Sequence, residues 1–182
     1  MKIAIGCILS AIVCFAWGFM SWSILDWHTN SIHSFEDQEE VAKVVKSNVS
    51  SLATPDEKKA FLDKQEKARN DGPFIYAVVR PGKKPWDMNQ AMIQSFVRAL
   101  LASVLLAVIL NQTTLPYSGR VTICAVAGLF SGIVSDMPMW IWFEGPGRMF
   151  AVNLADHLIE WTLAGLVLGL FVGKVPTAAD SR

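Results

Sequence analysis

Four stretches of roughly 20 predominantly apolar residues, the length a helix needs to cross a bilayer, constrain this chain more than any other feature. They run from Ile3 to Leu25, Met92 to Leu110, Val121 to Trp142 and Phe150 to Val172. Small residues and serines alone interrupt the first. The second carries one charge, Arg98, and the third one, Asp136, while the fourth has Asp156, His157 and Glu160 near its start. A mean hydropathy of +0.36 with 52% apolar residues exceeds what a soluble domain of 182 residues tolerates, because such a domain needs more polar surface. The expected fold is therefore all-α: a polytopic, four-transmembrane-helix bundle with a small, mostly helical extracytoplasmic insertion between helices 1 and 2. Residues 1–25 form the first span, 26–87 the insertion, 88–174 the other three spans and 175–182 a cytoplasmic tail.

The first span reads as a retained anchor. Its apolar run outlasts a signal-peptide core, and Trp22, Leu25 and Trp27 stand where a small-residue cleavage site would fall. A lipoprotein site is not expected, since Cys7 comes too early and Val13 precedes Cys14 where a small residue is needed. The three cysteines, Cys7, Cys14 and Cys124, all lie in apolar runs without a CxxC pair, and they read as small packing residues.

Charge sets the orientation. Lys2, Arg120, Lys174 and Arg182 gather on the face carrying both termini, opposed by Asp180 alone. Short basic segments stay in the cytoplasm, whereas long loops cross largely regardless of charge. Both termini are thus expected inside and the long loop outside, in a bacterial inner membrane. Tryptophan favours the membrane interface. Six of the seven tryptophans (Trp17, Trp22, Trp27, Trp86, Trp140, Trp142 and Trp161) map near the loop-bearing face, with Trp17 and Trp161 counted as slightly deeper and one of the seven left to the core. A net charge of zero and the lack of a basic stripe exclude nucleic acid as a partner.

Within the insertion, Ser34-Phe-Glu-Asp37 suggests a helix start followed by an apolar face of Val41, Val44 and Val45. Thr54-Pro-Asp-Glu57 is a stronger one. It joins an N-cap threonine, a proline at the first helical position and a glutamate three residues after the cap. That helix should run through Phe61 and Leu62 to Arg69 and stop at Asn70-Asp-Gly-Pro73. Phe74 to Val79 is β-prone. The Asn48-Val-Ser50 sequon is too common a pattern to carry weight. Large apolar residues are too few for an independent core, so the segment should lie on a membrane or against a partner.

Glycines four apart, Gly128 and Gly132 on the third span and Gly165, Gly169 and Gly173 on the fourth, let helix backbones approach closely. Consecutive, short-looped helices would pack on each other through them, and oligomerisation is the competing use. Pro138 removes one backbone donor, so the third span should kink or end there, with Asp136 capping the broken ladder.

Charge inside a membrane is expensive and marks pairing or function. Given four spans, Arg98, Asp136, Asp156, His157 and Glu160 converge on the half of the molecule nearest the long loop, with Asp26 and His28 at its rim. The leading expectation is structural, with Arg98 paired to Asp136 or Glu160. A metal or haem site is a weaker one, resting on His157 and Glu160 three apart on one helix face and on His28. The His-x-x-Glu order is the reverse of the di-iron motif, and His33 falls in the polar segment. The third expectation is a lipid, small-molecule or proton pocket. No nucleophile elbow, phosphate loop or His-Glu-x-x-His helix is present, and Ser131 and Ser135 suit backbone bonding within a span.

The functional expectation is a non-catalytic accessory or assembly subunit of a larger membrane complex. Its partners are the lipid bilayer and other membrane subunits, and no cofactor is expected. The alternative is a small membrane carrier, channel or redox protein using the polar cluster.

Overall fold

A helix satisfies its own backbone hydrogen bonds, so long apolar runs close into helices wherever chain entropy allows. The computed structural model of this protein describes residues 1–29, 35–48, 54–72, 77 and 85–173. These form six helices and no strand: α1 Lys2–Ser23, α2 Gln38–Ser47, α3 Pro55–Asp71, α4 Met88–Asn111, α5 Tyr117–Phe143 and α6 Gly147–Phe171. Four of them, α1, α4, α5 and α6, are long and apolar enough to cross a membrane. The chain divides into two compact units. One holds 1–32 with 85–182, and the other 33–84.

In the larger unit the four long helices alternate in direction. Their lateral order is α4, α1, α6, α5, and α4 and α5 meet only weakly. The α1 seam is a stripe of mostly small residues at helical spacing: Cys7, Ser10, Ala11, Cys14, Trp17 and Ser21. Ser103 of α4 donates to the Ser10 hydroxyl at 3.0 Å, an interhelical bond in apolar surroundings. Phe15 meets Phe96 edge-on at 6.2 Å. On α4 the buried face comprises Ala99, Ser103, Leu106, Ala107 and Leu110, and no residue before Ala99 is buried. The first half of α4 is therefore more open, touching its neighbours through Phe96 and Arg98 without burying a residue.

The α5–α6 seam is built on glycine. A Cβ on Gly128 would lie 2.6 Å from the His157 carbonyl, and one on Gly165 would lie 2.8 Å from Cys124 Cβ. Gly132 faces Leu154 and His157, and Gly169 faces Tyr117. Gly173, at φ +103°, leaves room for the Arg120 side chain. Arg120, expected above as a charge that sets topology, is buried at the start of α5. Its Nε donates to Leu115 O at 2.9 Å, and its Nη1 donates to Gly169 O at 3.0 Å and Val172 O at 2.9 Å. It thus satisfies carbonyls that the end of α6 leaves open.

Of the two outcomes expected at Pro138, a kink or an end, the second is excluded: α5 continues to Phe143 and stops at Glu144 in the left-handed region with φ 53°. Asp136 does not cap that helix, because its carboxylate is held by side chains of α5 and α6.

In the smaller unit α2 starts at Asp37, not Ser34: the Asp37 carboxylate accepts from Glu40 N at 2.9 Å. Ser34 lies outside the described residues, as do Phe74 to Tyr76, Val78 and Val79 of the β-prone run and Val49 and Ser50 of the sequon. The Thr54 capping box closes in both directions, at 3.2 Å to Glu57 N and 2.8 Å from Thr54 N. Neither α2 nor α3 buries a residue.

Candidate functional site

Beside the open first half of α4, a cavity of about 620 Å³ lies between it and α1, α5 and α6. Its charged lining is Arg98, Asp136, Asp156, His157 and Glu160. Helical spacing explains the α6 contribution. Asn153, Asp156, His157 and Glu160 fall at intervals of three and four, so one face carries all of them. Aromatic side chains of α1, among them Phe15, Phe19 and Trp22, form an apolar wall.

Three charged pairs organise the lining. Arg98 Nη2 lies 2.9 Å from Glu160 Oε1. The pair is asymmetric: the Glu160 side chain is 6% exposed and that of Arg98 57%. His157 Nε2 lies 3.2 Å from Asp136 Oδ2, which also accepts from Ser135 Oγ at 2.9 Å. The other oxygen, Asp136 Oδ1, accepts from Asn153 Nδ2 at 3.1 Å. The third pair joins the segment after α1 to α6. His28 Nε2 lies 3.7 Å from Asp156 Oδ2, and Trp17 Nε1 donates to Asp156 Oδ1.

His28 is enclosed. Trp22 stacks on its ring at 4.0 Å, Trp27 meets it edge-on, and its Nε2 lies 3.0 Å from Ser21 Oγ. The tryptophans at 17, 22 and 27 thus share one local cluster, because the chain turns back after Ser23 and no longer follows helical phase. Burial pushes the His28 imidazole below its ordinary range, and the nearby Asp156 opposes that shift only in part.

A pH dependence follows, with a definite sign. The unfolded chain takes up a proton on His28 more readily than the folded one, so stability is complete above the ordinary value of 6.5 and falls as pH drops through it. The melting temperature in detergent should be lower near pH 5.5 than near pH 7.5, and His28→Gln should shrink the difference. An unchanged slope in that variant would remove His28 as its source.

All five residues of the expected cluster line one cavity. His28 joins it at the edge through Asp156, and His33 lies outside the described residues. Among the described residues no three of His, Cys, Asp and Glu are placed to hold a metal ion, and His28 and His157 pair with different carboxylates. Sequence reasoning passed over Asn153 and Ser21. An asparagine four residues before His157 inside an apolar run was the available signal, since membrane helices place such amides against polar partners. Asn153 also leaves its buried Oδ1 without a hydrogen-bond partner. No family model, curated protein or solved structure matches this chain, so the reading of the site rests on its own chemistry.

The asymmetry of the Arg98–Glu160 pair predicts unequal single substitutions. Arg98→Ala leaves a buried carboxylate unpaired and should cost roughly 2 kcal/mol, less than a fully enclosed pair because Arg98 is substantially exposed. Replacing both residues with methionine should recover most of that loss. Thermal unfolding in detergent measures both, and a double variant less stable than Arg98→Ala would contradict the assignment.

Proposed function

We propose that this chain spans a membrane four times, with both termini in the cytoplasm and residues 26–87 outside, and that it works by binding a ligand in the cavity beside α4. The observation that carries this reading is the cavity: about 620 Å³, within the range of small-molecule sites, with apolar walls and a few convergent polar groups. Exposed apolar side chains along the long helices, such as Leu105, Phe130 and Leu170, then face lipid. In that setting Arg98, Asp136, Asp156, His157 and Glu160 lie at membrane depth, where ionisable groups mark ligand or ion pathways. A carrier is the kind of protein this describes.

A second reading, an accessory or assembly subunit of a larger membrane complex, draws on the smaller unit. α2 and α3 bury nothing of their own, and so they suit a surface supplied by a partner. Purification from the native membrane in mild detergent, followed by mass spectrometry, separates the two. A solitary chain or homo-oligomer supports the binding protein. A stoichiometric set of larger membrane subunits overturns it in favour of the accessory role.

A further inference from the structure

The cavity has a charge imbalance that restricts its occupant. Its lining carries three carboxylates, Asp136, Asp156 and Glu160, against one permanent cation, Arg98. Protonating His157 would still leave the carboxylates in the majority. An anionic head group would meet that excess in a medium of low dielectric, where like charges repel strongly. The apolar side of the lining combines Phe15, Phe19 and Trp22 of α1 with Met88 and Met92 of α4, and aromatic faces carry negative potential. Carboxylates and aromatic faces attract the same kind of ligand.

Resting on the reading of the cavity as a binding site, we propose that its ligand is an amphiphilic organic cation: a quaternary or protonated nitrogen, or a comparable onium centre, on an aromatic or branched apolar body. Glu160 and Asp136 supply the counter-charge, and the α1 aromatics cover the apolar body. Arg98 is the resident cation that the ligand displaces. It is the exposed member of its pair, and its guanidinium lies 2.9 Å from the buried Glu160 carboxylate that the incoming charge would take over.

The competition gives a test in which two substitutions act in opposite directions. Tetraphenylphosphonium and its near-isosteric anion tetraphenylborate are titrated into the full chain in lipid nanodiscs, against empty nanodiscs, by tryptophan fluorescence and equilibrium dialysis. Tetraphenylphosphonium should bind saturably and tetraphenylborate should not. Glu160→Gln should weaken phosphonium binding by about tenfold or more, and Phe19→Ala by roughly threefold to tenfold. Arg98→Gln, which keeps an N–H for Glu160 and removes the competing charge, should strengthen it. A purely structural pair would move Glu160→Gln and Arg98→Gln in the same direction. Phe19 is 60% exposed, so its variant tests the site without threatening the fold. Saturable binding of tetraphenylborate alone overturns the cation class and leaves a binding cavity standing. Uptake of both probes equal to that of empty nanodiscs overturns the cation class too, and a co-purifying partner subunit in the same preparation overturns the cavity reading itself.

Discussion

Arg120→Ala is expected to be one of the two most damaging single substitutions considered for this protein, at about 3–4 kcal/mol. The guanidinium donates to the carbonyls of Leu115, Gly169 and Val172, and so it ties the α4–α5 connection and the end of α6 to the start of α5. Removing it leaves carbonyls unsatisfied at a helix end where the structure supplies them with a donor. Charged donors are stronger than neutral ones, although three bonds from one group do not add in full. Arg120→Lys should rescue only part of the loss, because an ammonium cannot reproduce a planar fork that reaches several acceptors. Gly173→Ala should cause a related, smaller loss, since a Cβ there meets the Arg120 side chain and the residue sits at φ +103°. Melting temperature and the monodisperse fraction in detergent report all three. Wild-type stability for Arg120→Ala would show that the contact carries no weight.

Gly128→Leu is expected to cost about 3 kcal/mol or to prevent folding. The neighbour that a new Cβ meets at 2.6 Å is a backbone carbonyl, that of His157, and the next is Trp161 Cβ at 2.9 Å. Neither is the movable tip of a long side chain, so α5 and α6 would have to separate. Their separation would pull His157 away from Asp136 and open one side of the cavity. Gly18→Ala is the control. Nothing lies within 4 Å of a Cβ there, so the substitution should be neutral or slightly stabilising through helix propensity. Equal behaviour of the two variants in thermal unfolding would mean that the α5–α6 seam is not as close as described.

The helices themselves were legible from composition. A run of apolar residues long enough to cross a bilayer has one dominant local structure, and Thr54-Pro-Asp-Glu57 encodes the start of the polar helix α3 within four residues. Both signals are local, so sequence alone determines them. The cluster was legible as residue types and depth: Arg98, Asp136, Asp156, His157 and Glu160 are charges in apolar surroundings, and alternating helix direction brings them to one end.

Only the tertiary structure decided what those residues do. Arg120 looks like a topology signal in sequence and becomes a carbonyl clamp because α6 ends beside it. Asp136 stands two residues before a proline, yet it serves His157 and Asn153 on another helix. Trp17, Trp22 and Trp27 follow no helical period, and they cluster because the chain reverses after Ser23. The cavity also has no sequence signature, for it lies beside the half of α4 that buries no residue. The physical reason is the same in each case. A helix depends on neighbours within four residues, whereas partner choice depends on which faces meet, and small residues such as Gly128 and Ser103 settle that at separations no local pattern records.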